Sequence, residues 1–184
     1  MTNSEPSAAE QRAGVVITAI GPDRPGLIQA LSGNVTRLGG NIEDTRMGKL
    51  GGEFALLLFV TGTPAVLRAL LDETKNFAPT LGIECFAKET RSEPSPADQQ
   101  RMHLEASGVD HPGIVEKVTE VLSSWGANVT SFASRVEPAP LSGTPLFLLD
   151  VELELPSSVQ PLALEKELAR VCEQEQLEFI LDQP

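Results

Sequence analysis

The stretch Gly21-Pro22-Asp23-Arg24-Pro25-Gly26-Leu27-Ile28 recurs 87 residues later as Gly108-Val109-Asp110-His111-Pro112-Gly113-Ile114-Val115. The same offset places Gly39-Gly40-Asn41-Ile42 on Gly126-Ala127-Asn128-Val129. Because a repeat at a fixed offset indicates one supersecondary unit used more than once, the chain is predicted to hold two copies of one small fold. The copies use nearly all of the 184 residues, so a separate catalytic or nucleic-acid-binding domain is not expected.

The first copy carries the signals of a strand, a helix, a hairpin, a second helix and a closing strand. An apolar, β-branched run stops at Gly21, and Pro25 favours a helix start, because the N–H that proline lacks would have no partner in the first turn. Apolar residues then repeat at helical spacing until Gly39. The predicted elements are strand 15–20, helix 25–38, strands 41–47 and 53–60, helix 64–75 and strand 83–88.

The second copy repeats this order with a longer hairpin. Glu137-Pro138-Ala139-Pro140-Leu141-Ser142-Gly143 takes the place of the short glycine-rich turn of the first copy. The alternation of apolar and acidic residues from Leu149 to Leu155 predicts a strand with one face on a core and the other in water. The remaining predicted elements of this copy are helix 158–173 and strand 177–181.

The order βαββαβ, written twice, predicts an α+β protein of two tandem ferredoxin-like domains. Each would be a four-stranded antiparallel sheet with two helices on one face. Between the copies, Thr90-Arg91-Ser92-Glu93-Pro94-Ser95-Pro96-Ala97-Asp98 has the composition of a solvated linker. The predicted boundaries are therefore a first domain at 14–90, a linker at 91–100 and a second domain at 101–184.

Composition and charge describe a globular protein with an acidic second half. Hydrophobic residues make up 41% of the chain, which is enough for a core, but small domains bury a modest fraction of their surface, so a homo-oligomer is expected. Residues 1–92 carry a net charge of −1 and residues 93–184 a net charge of −11, within the total of −12. Because nucleic-acid affinity depends on basic side chains, direct nucleic-acid binding is not expected.

Several function classes lack their motifs in this sequence. It shows no Ser/His/Asp or Cys/His set at a persuasive spacing, no P-loop, no dinucleotide fingerprint and no pair of histidines placed for a metal. An enzyme, a cofactor and a metal site are therefore not expected. No apolar run approaches the roughly 20 residues of a membrane span, and the first 14 residues are too polar for a secretory signal, so a cytoplasmic location is expected.

Two features of the first copy carry a family resemblance: the Asp23-Arg24-Pro25-Gly26 turn after the first strand, and Asn41-Ile42 at the head of the second. Together with the βαββαβ order, they resemble the ACT domain, a regulatory module that binds amino acids. The resemblance covers about residues 14–182. It is specific in the first copy and is limited to the fold in the second, where His111 takes the place of Arg24.

The resemblance implies where a ligand would bind. In ACT domains the ligand usually lies between the turn after the first strand and the start of the second, often at an interface with a neighbouring domain. Carried over by position, the binding set is Asp23, Arg24, Pro25, Gly26, Leu27, Asn41 and Ile42 in the first copy, and Asp110, His111, Pro112, Gly113, Ile114, Asn128 and Val129 in the second.

The residue types themselves suit a zwitterion. A helix N-terminus offers N–H groups and a partial positive charge to an α-carboxylate, and Gly26 has no side chain to hold that group off. Asp23 can take an α-ammonium, and Asn41 offers a donor and an acceptor. A structural interpretation stays open for each residue: Pro25 and Gly26 start the helix, Asp23 caps it, and Asn41 occupies a left-handed turn position.

The resemblance implies a non-catalytic regulator of transcription that responds to a small amino acid, with glycine the first candidate. Because the chain is acidic, it would act on a DNA-binding activator protein rather than on DNA. Two alternatives stay open. One is an interaction module without a ligand, which assembles through exposed sheet edges or its acidic half. The other is a regulatory partner of a metabolic enzyme.

Overall fold

The computed structural model of the chain describes residues 13–91 and 98–183. The chain divides into two compact units, Met1–Pro94 and Ser95–Pro184. Of the predicted linker, residues 92–97 lie outside the described residues, and the flanking strands reach Arg91 on one side and Gln99 on the other. The first unit consists of β1 (Ala13–Pro22), α1 (Leu27–Arg37), β2 (Asn41–Leu50), β3 (Glu53–Thr61), α2 (Pro64–Leu81) and β4 (Glu84–Arg91).

The second unit has the same order of elements. They are β5 (Gln99–Val109), α3 (Ile114–Ser124), β6 (Asn128–Pro138), β7 (Pro145–Pro156), α4 (Pro161–Gln174) and β8 (Leu177–Asp182). Each unit forms one four-stranded antiparallel sheet, in the order β2-β3-β1-β4 in the first and β6-β7-β5-β8 in the second. This confirms the predicted pair of ferredoxin-like βαββαβ domains.

Each core lies between the sheet and its two helices. In the first domain Ile17 of β1, Leu56 of β3, Leu31 of α1 and Leu70 of α2 are all at most 2% exposed and belong to one cluster. Burying a side chain of this size contributes about 1.5–3 kcal/mol relative to leaving it in water. The alternating run in β7 behaves as predicted, since Leu149, Val151, Leu153 and Leu155 are all buried in the second core.

The two hairpins turn differently. In the first domain the two residues Gly51 and Gly52, with φ of 60° and 101°, connect β2 to β3. Positive φ at both positions suits a tight hairpin turn and is open to glycine at little cost. In the second domain the longer connection between β6 and β7 is closed by a hydrogen bond from the Ala139 N–H to the Thr144 carbonyl oxygen at 2.8 Å.

Three helix boundaries differ from the sequence prediction. Helix α1 starts at Leu27 rather than at Pro25, because Gly26 adopts a φ of 91° that no right-handed helix contains. Helix α2 continues to Leu81 instead of ending at residue 75, since Phe77 still packs into the core and Gly82 provides the left-handed end. Helix α4 starts at Pro161 rather than at residue 158.

Candidate functional site

The turn after β1 leaves an open space in front of helix α1. Gly26 precedes the helix, and no heavy atom of the described residues lies within 4 Å of the position that a Cβ would take there. The first intrahelical hydrogen bond runs from the Ala30 N–H to the Gly26 carbonyl oxygen at 2.9 Å. The N–H groups ahead of Ala30 therefore have no partner within the helix, and the partial positive charge of the helix end faces open space.

Two charged side chains of this turn are held by neighbouring elements. The Oδ2 atom of Asp23 lies 2.8 Å from Nζ of Lys49 on β2, and the Asp23 N–H donates to the Gly52 carbonyl oxygen at 3.1 Å. Asp23 is thus fixed to the hairpin and is not the cap of α1. Arg24 donates from Nη2 to the carbonyl oxygen of Leu81, the last residue of α2. That bond satisfies a carbonyl that the helix end leaves unpaired.

The turn after β5 has the same backbone with a different side chain. Gly113 has a φ of 99° and precedes α3, and no described heavy atom lies within 4 Å of its Cβ position. His111 stands where Arg24 stands in the first domain. Its Nε2 atom lies 3.1 Å from the carbonyl oxygen of Glu175, just after α4, and its Nδ1 atom lies 3.3 Å from that of Pro112. The hydrogen bonds to Glu175 and Pro112 raise the pKa of His111, because only the doubly protonated ring donates to both carbonyls.

A buried carboxylate distinguishes this second turn. The side chain of Glu175 is 8% exposed, and its Oε1 atom accepts a hydrogen bond from Nζ of Lys117 on α3. Its Oε2 atom lies 3.7 Å from Nε2 of His111. In the first domain, Ala30 takes the position of Lys117 by the 87-residue offset. Leu81, whose carbonyl oxygen accepts the hydrogen bond from Arg24, takes the position of Glu175. The second turn therefore already holds an anion of its own.

The comparisons with known proteins agree with this architecture. The ACT domain family matches residues 14–88. Residues 14–88 are an ACT domain. Over 158 residues, which are 86% of this chain and 83% of each relative, the chain is 25% identical to the glycine cleavage system transcriptional repressors of Escherichia coli (strain K12) and Shigella flexneri.

Two solved structures share the tandem fold over almost the whole chain. An unknown protein from Galdieria sulphuraria is 28% identical with a TM-score of 0.78, covering 95% of this chain and 99% of the other. A protein provisionally assigned as a glycine cleavage system transcriptional repressor is 22% identical with a TM-score of 0.69, covering 92% of this chain and 96% of the other. At that identity the second likeness concerns the fold alone.

The residues expected to bind the ligand do not all meet within the ACT domain. β1 ends at Pro22, opposite Glu53, whereas β2 begins at Asn41, opposite Thr61, which also faces Gly14. Gly14 and Pro22 are eight residues apart, about 27 Å at the roughly 3.4 Å per residue of antiparallel strands. Within one domain, Asn41 and Ile42 therefore lie at the opposite end of the sheet from the Asp23 turn and do not share a pocket with it. Because α1 carries the chain back along the sheet, β2 begins at the end where β1 begins.

The same separation along the sheet holds in the second domain. Asn128 lies opposite Glu154, which faces Arg101 near the start of β5, so Asn128 and Val129 are at the far end of the sheet from His111. There the Nδ2 atom of Asn128 donates to Oε2 of Glu154 at 3.3 Å. The amide of Asn128 therefore has an internal partner.

The other residues predicted to bind the ligand are either buried in a core or exposed in a turn. The residues Leu27 and Ile114 are 3% and 1% exposed, and their side chains pack in the two cores and offer a ligand no contact. Pro25 and Pro112 are exposed in the turns, as are Asp23, Arg24, Gly26, Asp110 and Gly113. The contiguous site that remains in the ACT domain is the turn Asp23 to Leu27 together with Lys49.

An open cleft of about 550 Å³ borders this turn in the ACT domain. Its walls include Pro22, which precedes Asp23, and Gly82, which lies beside the Arg24 guanidinium. Pro79, in the last turn of α2, and Ile83 add apolar surface, while Glu53 and Glu84 contribute acidic groups. The cleft gives a small molecule at the turn room to extend along the end of the sheet.

Sequence reasoning missed Lys49, Lys117 and Glu175. The hairpin register could have found Lys49, because β2 ends beside the start of β3, which pairs with the end of β1. Lys117 and Glu175 could have been found by comparing the copies, since apolar Ala30 and Leu81 stand at the equivalent positions of the first domain.

A histidine on the second sheet lies among carboxylates. His103 Nε2 is 3.5 Å from Asp150 Oδ2, and its Nδ1 atom is 3.6 Å from Asp182 Oδ1. With Glu105 nearby, three potential metal-ligand atoms lie within 4.8 Å of one another. The group is partly exposed, acidic groups at a surface are common without an ion, and we assign it no metal. None of the helices in the described part of the chain is long and apolar enough to cross a membrane.

Proposed function

We propose that the chain is a cytoplasmic, non-catalytic regulator that responds to a small amino acid and acts through a protein partner. The observation that carries this proposal is the open space at Gly26, where the N-terminus of α1 faces solvent beside Asp23 and Lys49. The match of residues 14–88 to a family of amino-acid-binding regulatory modules, and the similarity to glycine cleavage repressors, support it.

The turn offers a partner for each pole of an amino acid. The α-carboxylate would accept hydrogen bonds from the N–H groups of the first turn of α1, where the helix dipole favours an anion. The α-ammonium would pair with Asp23, whose side chain is 37% exposed and already positioned by Lys49. Glycine fits because the ligand needs no side-chain pocket, and the neighbouring cleft leaves room for a larger amino acid.

Charge favours the first turn over the second. Around Gly26 lie two cations, Arg24 and Lys49, and one carboxylate, Asp23. Around Gly113 the carboxylates of Asp110, Glu116 and Glu175 outnumber the basic side chains of His111 and Lys117, and Val136 replaces Lys49. An incoming carboxylate would therefore meet repulsion in the second domain. We propose that the ACT domain of residues 14–88 binds the amino acid and that the second domain does not.

The regulatory output is proposed to pass through a protein. With a net charge of −11 on residues 93–184, the second half of the chain would repel a DNA duplex. The relatives of E. coli and S. flexneri are named as transcriptional repressors, so a DNA-binding activator is the proposed partner. The amino acid would change partner binding only by as much as its affinity differs between the free and partner-bound states.

Isothermal titration of the full chain with a panel of amino acids, glycine first, tests the sensing step. We expect heat of binding with a stoichiometry of one per chain for at least one small amino acid. The absence of heat and of any thermal shift at millimolar concentration for the whole panel would remove the proposal. Pull-down from cell extract, with and without that amino acid, then identifies the partner as a transcription factor or a metabolic enzyme.

A second candidate function is an interaction module without a ligand. The edge strands favour it: every residue of β6 is exposed, and in β2 only Ile42 is partly covered. An exposed edge presents unpaired backbone groups on which another strand can add. A stable partner complex whose affinity is the same with and without every amino acid would favour this function over sensing.

A further inference from the structure

The face of the first sheet that α1 and α2 leave uncovered is apolar at its centre. Residues directly opposite one another in neighbouring antiparallel strands point to the same face, so the register defines its rows. Ile20, Leu57 and Phe86 on this face are 43%, 46% and 66% exposed. Read from β2 to β4, the rows are Asp44, Phe59, Val16, Lys88; then Arg46, Leu57, Thr18, Phe86; then Gly48, Ala55, Ile20, Glu84.

The outer strands of this face carry both charge signs. β2 contributes Asp44 and Arg46, which form an exposed ion pair at 2.8 Å, and β4 contributes Glu84 and Lys88. Glu53 of β3, opposite Pro22, and Glu43, which accepts a hydrogen bond from Thr61, add carboxylates beyond the three rows, whereas the outer strands within those rows are neutral overall. Such a rim does not repel a copy of itself, and its apolar centre favours burial.

The equivalent face of the second domain is acidic. The register places Glu105 of β5, Asp150, Glu152 and Glu154 of β7 and Glu178 of β8 on it, and these carboxylates outnumber Arg101 and Arg135 on the same face. Like charges facing one another across an interface suppress association. Of the two uncovered faces, the first is the one suited to a second copy of the chain.

We propose that the uncovered face of the first domain docks on the same face of a second copy. The two-fold axis would run parallel to the strands between β1 and β3, so that β2 of each copy lies over β4 of the other and every row stays in register. Asp44 then faces Lys88 of the second copy, and Arg46 faces the ring of Phe86 of the second copy. The centres of the rows bring Phe59 over Val16 and Leu57 over Thr18.

Each row is complementary to the same row read in the opposite direction, and this complementarity is the argument for a second copy. An isologous interface requires that residue i meets residue j and that j meets i. The first row satisfies this with opposite charges at its ends, and the second satisfies it with a guanidinium at one end and an aromatic ring at the other. The third row brings Gly48, which has no side chain, towards Glu84, so that carboxylate stays in water at the rim.

Light scattering after size exclusion tests the surface. At tens of micromolar we expect a mass of twice the 19.7 kDa chain. Leu57→Asp places a carboxylate at the apolar centre, opposite Thr18 of the second copy, and is expected to give the monomer mass. Lys75→Asp is the matched control, because Lys75 is exposed on α2, on the covered side of the sheet, and this variant is expected to stay dimeric.

A charge exchange tests the axis. Asp44→Lys and Lys88→Asp each set like charges opposite one another, and each is expected to weaken the dimer by at least about tenfold. The double variant restores opposite charges and is expected to restore the dimer. Within one chain these residues are on the outer strands, three strand spacings or about 14 Å apart, so rescue requires a second copy.

Three results of these experiments would contradict the proposed dimer. A monomeric wild type, a dimer that Leu57→Asp leaves intact in a folded protein, or single charge variants whose effects simply add would each overturn the proposal. Circular dichroism and thermal unfolding establish that the variants are folded. If Leu57→Asp does not fold, the two exposed charge positions decide the question without it.

Discussion

The imidazole of His111 reaches the carbonyl oxygen of Glu175 with its Nε2 atom at 3.1 Å, as Arg24 reaches that of Leu81 in the first domain. In both domains a basic side chain of the turn satisfies the end of the second helix, where the negative end of the helix dipole favours a cation. The difference is that histidine loses its proton near neutral pH and arginine does not.

Stability of the second domain is therefore expected to depend on pH through His111. Its pKa is raised above 6.5 in the folded protein, chiefly by the Glu175 carbonyl, so the folded state binds the proton more tightly than the unfolded state. The contribution is fully present below about pH 6.5 and is lost as pH rises through the folded pKa. The histidine NMR titration of the native protein should give a pKa above 6.5 for His111.

His111→Arg is the matched variant for this effect, since it installs the residue of the first domain and keeps a permanent cation at the helix end. We expect its urea midpoint to vary less than that of the wild type between pH 6 and 8.5. A wild type and a variant with the same pH profile, or a pKa of His111 at or below 6.5, would contradict the expectation.

The two glycine turns provide a direct test of where an amino acid binds. Gly26→Asp puts a carboxylate in the place proposed for the ligand's own, and the affinity for the amino acid is expected to fall at least about tenfold. Gly113→Asp makes the same change at a φ of 99° in the second domain and is expected to leave that affinity unchanged. Isothermal titration of both variants measures the difference.

Strain at Gly26 needs its own control, because a side chain at a φ of 91° is unfavourable whatever its charge. Gly26→Asn has the shape of the aspartate without its charge, so the gap between the two variants reports repulsion of the ligand's carboxylate. If folded Gly26→Asp binds as tightly as the wild type, the site lies elsewhere. Loss of binding in Gly113→Asp alone would move the site to the second domain.

Removing Lys117 is expected to destabilise the second domain. Glu175 is 8% exposed and Lys117 is its ion-pair partner, so Lys117→Met leaves a buried carboxylate with only His111 beside it. Because Lys117 is itself half exposed, we expect a loss of roughly 1–3 kcal/mol in the free energy of unfolding, below the full cost of breaking a buried pair. Urea unfolding at pH 7 gives the value.

The double variant Lys117→Met, Glu175→Leu is the control for that loss. It removes the carboxylate of Glu175 together with its partner Lys117, and it places at position 175 the leucine that the first domain has at position 81. We expect it to recover most of the stability that the single variant loses. A double variant no more stable than Lys117→Met would mean that the lysine acts through its packing and not through its charge.

Much of the fold was readable from the sequence because the deciding signals are local. The Pro25-Gly26 turn and the alternation in β7 each report on a few neighbouring residues, and the structure confirms the elements they predict. The site was less readable because it depends on which ends of the elements meet. Asn41 is close to the Asp23 turn in the βαβ order but about 27 Å from it along the sheet.

Other parts of the site depend on residues that are distant in sequence. Lys49 meets Asp23 only because the hairpin returns to the end of β1, and Glu175 meets Lys117 only because α4 ends beside the first turn of α3. Composition and periodicity do not encode such meetings. Comparing equivalent positions of the two copies does reveal that Glu175 takes the place of Leu81. A partner for Glu175 could then be predicted, because a buried charge in place of leucine requires one.

Gln176 offers a stabilising change at the same corner. It is the one non-glycine residue with positive φ in the described part of the chain, at 56°, and the equivalent residue in the first domain is Gly82 at 59°. A side chain in this left-handed region costs about 1–2 kcal/mol, part of which glycine returns through its greater freedom in the unfolded state. Gln176→Gly is expected to raise the free energy of unfolding by roughly 0.5–1 kcal/mol in urea titration.

Gly82→Ala is the reciprocal variant and should lower the free energy of unfolding by a similar amount, because no backbone atom near Gly82 obstructs a Cβ and φ alone sets the cost. A Gln176→Gly protein less stable than the wild type would mean that the glutamine side chain contributes more through its contacts than its backbone strain removes.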